Sequence, residues 1–193
     1  VGFIESITAG HHDFDPVAAL GSSLSREGMV TVFLSLGSNV GNRRLNIDKM
    51  IGRLFLVLRS PRRISRLVKT EPVDVPGKQR WFYNCVVSGR YAGTARMLLA
   101  QCRAIEADLG RIRTKRVAPR TADIDILLFG NRRIATKNLA VPHPQLLRRR
   151  FCLEGLREIA PAQRLPSTGR SFARHYGKMA QRVKAQRIVF LSW

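Results

Sequence analysis

Apolar and polar residues alternate along this chain in a way that predicts strands and helices in turn. Val30, Val32, Leu34 and Leu36 are interleaved with Thr31, Phe33 and Ser35, a strand period that runs into the turn residues Gly37-Ser38-Asn39. Ile47, Met50, Ile51, Leu54 and Leu58 then recur at helical spacing, which predicts an amphipathic helix over 44–59, ended by Pro61. A second strand is expected over 62–70, and a loop with Pro72, Pro76 and Gly77 follows it. Residues 82–91, rich in Val and aromatics, read as a third strand. Thr94 can cap a second helix, with Leu98, Cys102, Ile105 and Leu109 on one face and Gly110 at its end. After a basic loop over 111–120, residues 124–129 read as a fourth strand, and Gly130-Asn131 turns into a short return strand ending near Ile134. Pro142 and Pro144 hold His143 in a loop. Residues 146–159 and the set Phe172, Tyr176, Met179 and Val183 predict two more helices, and 188–191 a terminal strand.

The order βαββαββ followed by helices predicts an α+β fold. Its core is a ferredoxin-like βαββαβ unit, a mostly antiparallel sheet flanked by helices, with an additional strand and C-terminal helices. Residues 1–29 lack a period and are expected to be a partly disordered extension, His11-His12 being a surface pair within it. Residues 30–165 are expected to form the main domain, and the basic helix and tail over 166–193 to pack on it. No repeat or low-complexity segment interrupts the chain.

Charge narrows the set of partners. There are 34 Lys and Arg against 13 Asp and Glu, a net charge of +21. Such a chain suits a polyanion: nucleic acid, an anionic membrane or a phosphorylated substrate. The basic residues come in short groups, such as Arg111-Ile112-Arg113-Thr114-Lys115-Arg116 and Arg148-Arg149-Arg150, and most are read as solvated surface. Three cysteines with no CxxC pair speak against a disulfide framework or a zinc site and for a reducing cytoplasm. The start has no signal-peptide pattern and no apolar run reaches membrane-spanning length, so no membrane partner is expected.

The sharpest chemical feature is Asp123-Ile124-Asp125 within an apolar strand. Side chains alternate, so both carboxylates share one face, and they repel unless a cation or basic groups neutralise them. Mg²⁺ binds through one or two carboxylates plus phosphate oxygens and water, which suits the pair. A solvated strand face accounts for the spacing equally well, and such pairs also occur in glycosyltransferases and nucleases. Arg111, Arg113 and Arg120 lie just upstream, and guanidinium groups bind phosphate bidentately. Phe82 and Asn84, at i and i+2, place a ring and an amide on one strand face, where they could stack on and hydrogen-bond a flat heterocycle. A small RNA-binding α/β domain and a metal-dependent nuclease are the competing readings; the first lacks RNP-type aromatic motifs, the second a further acidic cluster.

The chain resembles the 6-hydroxymethyl-7,8-dihydropterin pyrophosphokinases of folate biosynthesis. The resemblance rests on Leu36-Gly37-Ser38-Asn39, Thr70-Glu71-Pro72-Val73, Phe82-Tyr83-Asn84, Ile105-Glu106 with Leu109-Gly110-Arg111-Ile112-Arg113, and Val141-Pro142-His143-Pro144. Arg149-Arg150-Phe151 and Glu158-Ile159-Ala160-Pro161 extend it, and Pro119-Arg120-Thr121-Ala122-Asp123-Ile124-Asp125-Ile126-Leu127-Leu128-Phe129-Gly130 is its most specific stretch. It implies transfer of the diphosphate of ATP to the pterin alcohol, with AMP released. It implies that Asp123 and Asp125 bind two Mg²⁺ ions, and that Phe82 and Phe151 sandwich the pterin. Asn84 and the backbone around Thr70, Pro72 and Val73 would read the pterin edge. Arg111, Arg113, Lys115, Arg120 and Arg149 would contact phosphates, with Arg111 and Arg120 nearest the transferred group. Glu106, His143 and the Ile126 backbone would seat ATP. The expected partners are small molecules, with nucleic acid at most non-specific, and a monomer is expected. Val117 and Ala118 stand where many members have a Trp, and Asn138 and Ala140 where some have a basic residue and a hydroxyl.

Overall fold

The computed structural model describes residues 28–73, 79–111, 118–179 and 181–193. Residues 1–27 of the extension expected over 1–29, Arg113, Lys115 and most of the basic loop therefore lie outside the described residues, and Met29 of that extension opens the first strand. Strand β1 (Met29–Ser38) is followed by helix α1 (Arg43–Val57), β2 (Arg59–Ile64), β3 (Leu67–Thr70), β4 (Phe82–Ala92), α2 (Ala95–Asp108) and β5 (Asp123–Phe129). The sheet order is β5-β1-β4-β3-β8, with β2 also against β4 and β8 formed by Ile188–Leu191. Every pairing in this sheet is antiparallel. This is the ferredoxin-like arrangement: β4 lies between the two strands that α1 connects, and β1 lies between the two that α2 connects.

The helices begin where side chains can cap them. Asn42 accepts from the Leu45 amide and Thr94 from the Met97 amide. One sheet face carries α1 and α2, whose Ile47, Met50, Leu54, Leu98 and Cys102 bury Leu34, Leu36, Ile124 and Ile126. The other carries α3 (Arg150–Ile159) and α4 (Phe172–Gly177), packed through Leu156 and Phe172 on Phe33, Val68, Val86 and Leu127. Gly155 lets α3 sit close: a Cβ there would stand 2.6 Å from Val86 Cγ2.

Several expected elements differ. The strand over 62–70 is two strands, because Ser65 turns its side chain into the ladder. Its amide donates to the Val86 carbonyl and its hydroxyl accepts from the Val86 amide, at 2.8 and 2.9 Å. Pro61 lies inside β2, not at the helix end; helix α1 ends two residues earlier than expected, at Val57. The return strand after Gly130 does not pair with β5. Ile134–Ala135 (β6) pairs instead with Ala140–Val141 (β7). Residues 146–159 begin as a 3₁₀ turn, Leu146–Arg148, and only then become α3. The helix expected through Val183 breaks after Gly177, and a short α5 follows (Gln181–Ala185).

One irregularity places a functional group. Leu34 faces Ile126 and Phe33 faces Leu128, so Leu127 is the extra residue of a β-bulge. Leu127 and Leu128 both enter the α3-side core. The Leu127 carbonyl accepts instead from the His143 amide at 3.0 Å. The bulge thus anchors His143 beside the strand that carries the acidic pair.

Candidate active site

Asp123 and Asp125 lie on the α3 face of β5, opposite Gly37 and Ser35 of β1. Their neighbours Ile124 and Ile126 point into the opposite core, so the shared face follows from strand alternation. Three guanidiniums meet the two carboxylates. Arg111 NH1 is 2.6 Å from Asp123 Oδ1, Arg120 NH1 3.1 Å from Asp123 Oδ2, and Arg149 NH1 3.0 Å from Asp125 Oδ2. Burial, and then the Asp125 charge, push the Asp123 pKa up, while Arg120, Arg111 and Arg149 pull against the rise. The arginines come from three segments: the end of α2, the loop before β5 and the residue before α3.

Each of these groups is itself held. Glu106 on α2 is 2% exposed and accepts from Arg111 NH1 and, at 2.8 Å, from the Ile124 amide. It therefore ties the helix, the first arginine and the acidic strand together. Asn39, in the turn after β1, donates its amide to the Arg120 carbonyl and accepts from the Arg120 amide through Oδ1, at 3.1 and 2.8 Å. Arg120 Nε and Thr121 Oγ1 are buried with no partner among the described residues. Arg120 also lines the cavity beside the carboxylates, so its Nε is a donor available to an oxyanion there. His143 Nδ1 accepts from the Gln145 amide at 3.2 Å, which puts the proton of the neutral ring on Nε2, 3.8 Å from Asp125 Oδ2. Burial lowers the His143 pKa more than Asp125 raises it.

Beside the carboxylates the same sheet face opens into a cavity. Phe82 and Asn84 line it from β4, Thr70, Pro72 and Val73 from the end of β3 and its loop, and Phe151 from α3. Asn84 Nδ2 donates to Thr70 Oγ1 at 2.9 Å, which fixes the amide. A Cβ on Gly37 would stand 2.8 Å from Asn84 Oδ1, so glycine leaves room for that carbonyl. Tyr83 points to the other layer, under the Arg43 guanidinium 4.2 Å from its ring centre. Asp123, Arg120 and Arg149 stand on the same cavity wall, so phosphate-binding and ring-binding groups adjoin.

The sequence-predicted residues fall into three groups. Arg111, Arg120 and Glu106 gather around Asp123, and His143 and Arg149 around Asp125, two charge clusters side by side on one strand face. Thr70, Pro72, Val73, Phe82, Asn84 and Phe151 line the adjoining cavity. Ile126, expected to act through its backbone alone, turns its side chain into the opposite core. Sequence reasoning did not assign Asn39, Ser35, Glu71 or Gln186. Asn39 sits in a Gly-Ser-Asn turn and could have been flagged as a loop amide next to a glycine. Gln186 carried no local signal.

The donors suit a cation that shares its shell with a ligand. No group of three or more His, Cys, Asp or Glu side chains gathers among the described residues. Two partly exposed carboxylates beside an arginine with an unpartnered N–H leave most of the shell to phosphate and water, the way Mg²⁺ is usually held.

Residues 33–161 match the family described as 7,8-dihydro-6-hydroxymethylpterin-pyrophosphokinase. Named 2-amino-4-hydroxy-6-hydroxymethyldihydropteridine pyrophosphokinases of Bacillus subtilis and Aquifex aeolicus are each 37% identical, over 66% and 69% of this chain and 76% and 82% of theirs. The folic acid synthesis protein fol1 of Pneumocystis carinii is 33% identical over 77% of this chain, which spans only 20% of it. In three dimensions the chain is similar to the Plasmodium falciparum HPPK-DHPS solved with pteroate. The TM-score is 0.64 at 14% identity, over 81% of this chain and 45% of that one, a likeness of fold. No described helix is long and apolar enough to cross a membrane. The chain belongs to the 7,8-dihydro-6-hydroxymethylpterin-pyrophosphokinase family.

Proposed function

We propose that this chain transfers the β,γ-diphosphate of ATP to the hydroxymethyl group of 6-hydroxymethyl-7,8-dihydropterin, giving AMP and the pterin diphosphate for folate biosynthesis. The observation that carries this reading is the adjacency of two sites on one sheet face. Three arginines and two carboxylates adjoin a cavity lined by two aromatic rings and a fixed amide.

Phosphoryl-type transfer relies on positioning and charge stabilisation more than on a protein nucleophile. Phe82 and Phe151 hold the flat pterin, and Asn84 Oδ1 accepts from its hydrogen-bonding edge. Arg120, with Nε free and its amide pinned by Asn39, and Arg111, steadied by Glu106, stabilise charge on the transferred group. Arg149 and His143 act from the Asp125 side. Asp123 and Asp125 would hold Mg²⁺, two ions in this reading, which when bound supplies charge neutralisation to the triphosphate. The two carboxylates therefore act through charge and not as acid–base groups. Until ATP arrives, the arginines serve as their counter-ions; on binding, guanidiniums released from carboxylates turn to phosphate oxygens. Glu106 in this scheme is a support for Arg111 rather than an ATP contact, because its carboxylate is already engaged by Arg111 and Ile124. The protein works as a cytoplasmic monomer on small molecules and binds nucleic acid only non-specifically.

The test is AMP production from ATP with acceptor and Mg²⁺ varied independently, in wild type and Asp125→Ala. AMP that needs both, and that the variant fails to make while melting as a folded protein, supports the reading. Near-normal turnover by the variant refutes the metal assignment.

A further inference from the structure

The segment from Lys184 to Leu191 lies beyond residues 33–161, the family match, yet it touches both walls of the acceptor cavity. Its strand β8 pairs with β3, with Ile188 opposite Thr70. Just before it, Arg187 grips the start of the Glu71-Pro72-Val73 loop. The Glu71 amide donates to the Arg187 carbonyl at 3.2 Å, and the Glu71 carboxylate accepts from Arg187 N and Nε at 2.9 and 3.1 Å. On the other wall, Arg150 NH1 donates to the carbonyls of Lys184 and Gln186, at 2.9 and 3.1 Å.

Gln186 joins the two walls through its side chain. Helix α3 has no side-chain cap of its own at Arg149. Gln186 Oε1 supplies one from 36 residues away, accepting from the Arg150 amide at 3.1 Å. Its Nε2 donates to the Glu71 carbonyl through a long 3.5 Å bond, and the residue itself lines the cavity with Phe82, Asn84 and Phe151. One amide thus spans from the first turn of α3, which carries Phe151, to the loop that borders the pterin edge. An amide N carries two hydrogens, so one remains beyond the Glu71 bond.

We propose that Gln186 is a positioning residue for the acceptor: it fixes the separation between the Phe151 wall and the 71–73 wall, and so sets affinity for the flat heterocycle without touching the ATP side. The inference rests on the acceptor being the pterin alcohol, as proposed above. Pinning both walls in advance removes an ordering cost that the acceptor would otherwise have to meet on binding. No polar contact links Gln186 to Asp123, Asp125 or their arginines among the described residues, so its direct hold is on the two acceptor walls.

Steady-state kinetics on Gln186→Ala, Gln186→Met and Gln186→Glu test this, with thermal melts of each. Methionine keeps the length without the hydrogen bonds, and glutamate keeps the acceptor for the Arg150 amide but loses the donor. Ala and Met should each raise the acceptor KM about tenfold, the worth of roughly one hydrogen bond, with ATP KM and kcat within about twofold. Glu should recover part of that loss. A Met variant with the wild-type acceptor KM, or an equal rise in ATP KM in either variant, overturns the proposal. If wild type itself releases no acceptor-dependent AMP, the underlying functional reading fails instead, and the two failures are told apart in the same experiment.

Discussion

Replacing Glu106 by glutamine probes the support beneath the catalytic arginine. The side chain is 2% exposed and one of its oxygens serves two donors, Arg111 NH1 and the Ile124 amide. Glutamine keeps the shape and one acceptor oxygen. It loses the charge that Arg111 meets, and it places an NH₂ group beside a guanidinium. A buried hydrogen bond to a charged group contributes about 1.5–3 kcal/mol, so the loss should be about 2 kcal/mol. For a chain of this size that lowers the melting temperature by roughly 4–8 °C. Arg111 then keeps Asp123 as its partner, at 2.6 Å, and is drawn further onto that carboxylate instead of being held ready for phosphate. kcat should therefore fall at least tenfold while the acceptor KM holds, because the acceptor cavity does not include Glu106. Calorimetry and steady-state kinetics read the two effects. Adding Arg111→Met closes a double-mutant cycle, in which the glutamine penalty should shrink once its charged partner is gone. A Glu106→Gln protein that melts with wild type, or a penalty that adds fully to that of Arg111→Met, would refute the reasoning.

Gly37→Ala should raise the acceptor KM roughly tenfold with little change in ATP KM, since the new Cβ meets Asn84 Oδ1 at 2.8 Å and that amide is pinned by Thr70; an unchanged acceptor KM counts against Asn84 as the edge reader. Gly155→Ala should destabilise by about 1–3 kcal/mol by forcing α3 off Val86, yet leave a folded fraction with normal ATP KM, read by denaturant melts beside kinetics. Burial pushes the Cys102 and Cys152 thiols up to about 12, and Cys85 also goes up. The unfolded chain loses these protons near the ordinary thiol value of about 8.5 while the native one keeps them. Stability from this source is complete below that value and is lost as pH rises towards about 12. Melting temperature should fall through that window, less steeply in Cys152→Ala, and thiol reagents at mildly alkaline pH should label the native protein far more slowly than the unfolded one.

Much of the site was legible because strands alternate. Asp123 and Asp125 share a face for that reason alone, and so do Phe82 and Asn84. Helix α2 was legible from Thr94 and a regular apolar stripe. What escaped was set by pairing across the sheet. Nothing near Ser65 announces that its hydroxyl will take a backbone's place opposite Val86, so one strand was read where there are two. The bulge at Leu127 lies in an unbroken apolar run, where periodicity carries no phase, and only the pairing with β1 exposes it. The anchoring of His143 depends on that bulge. Gln186 meets Arg150 across 36 residues and Glu71 across 115, and a glutamine in a basic tail has no pattern to mark it.

The central claim is that a diphosphate moves as one unit from ATP to a pterin alcohol. Following ATP labelled separately in its β and γ phosphates, with Mg²⁺ and the acceptor present, tests it most directly. The account predicts both labels together in the pterin product, one AMP formed for each, and no turnover when the acceptor is left out. Formation of ADP with only the γ label transferred, or AMP released without the acceptor, would contradict it.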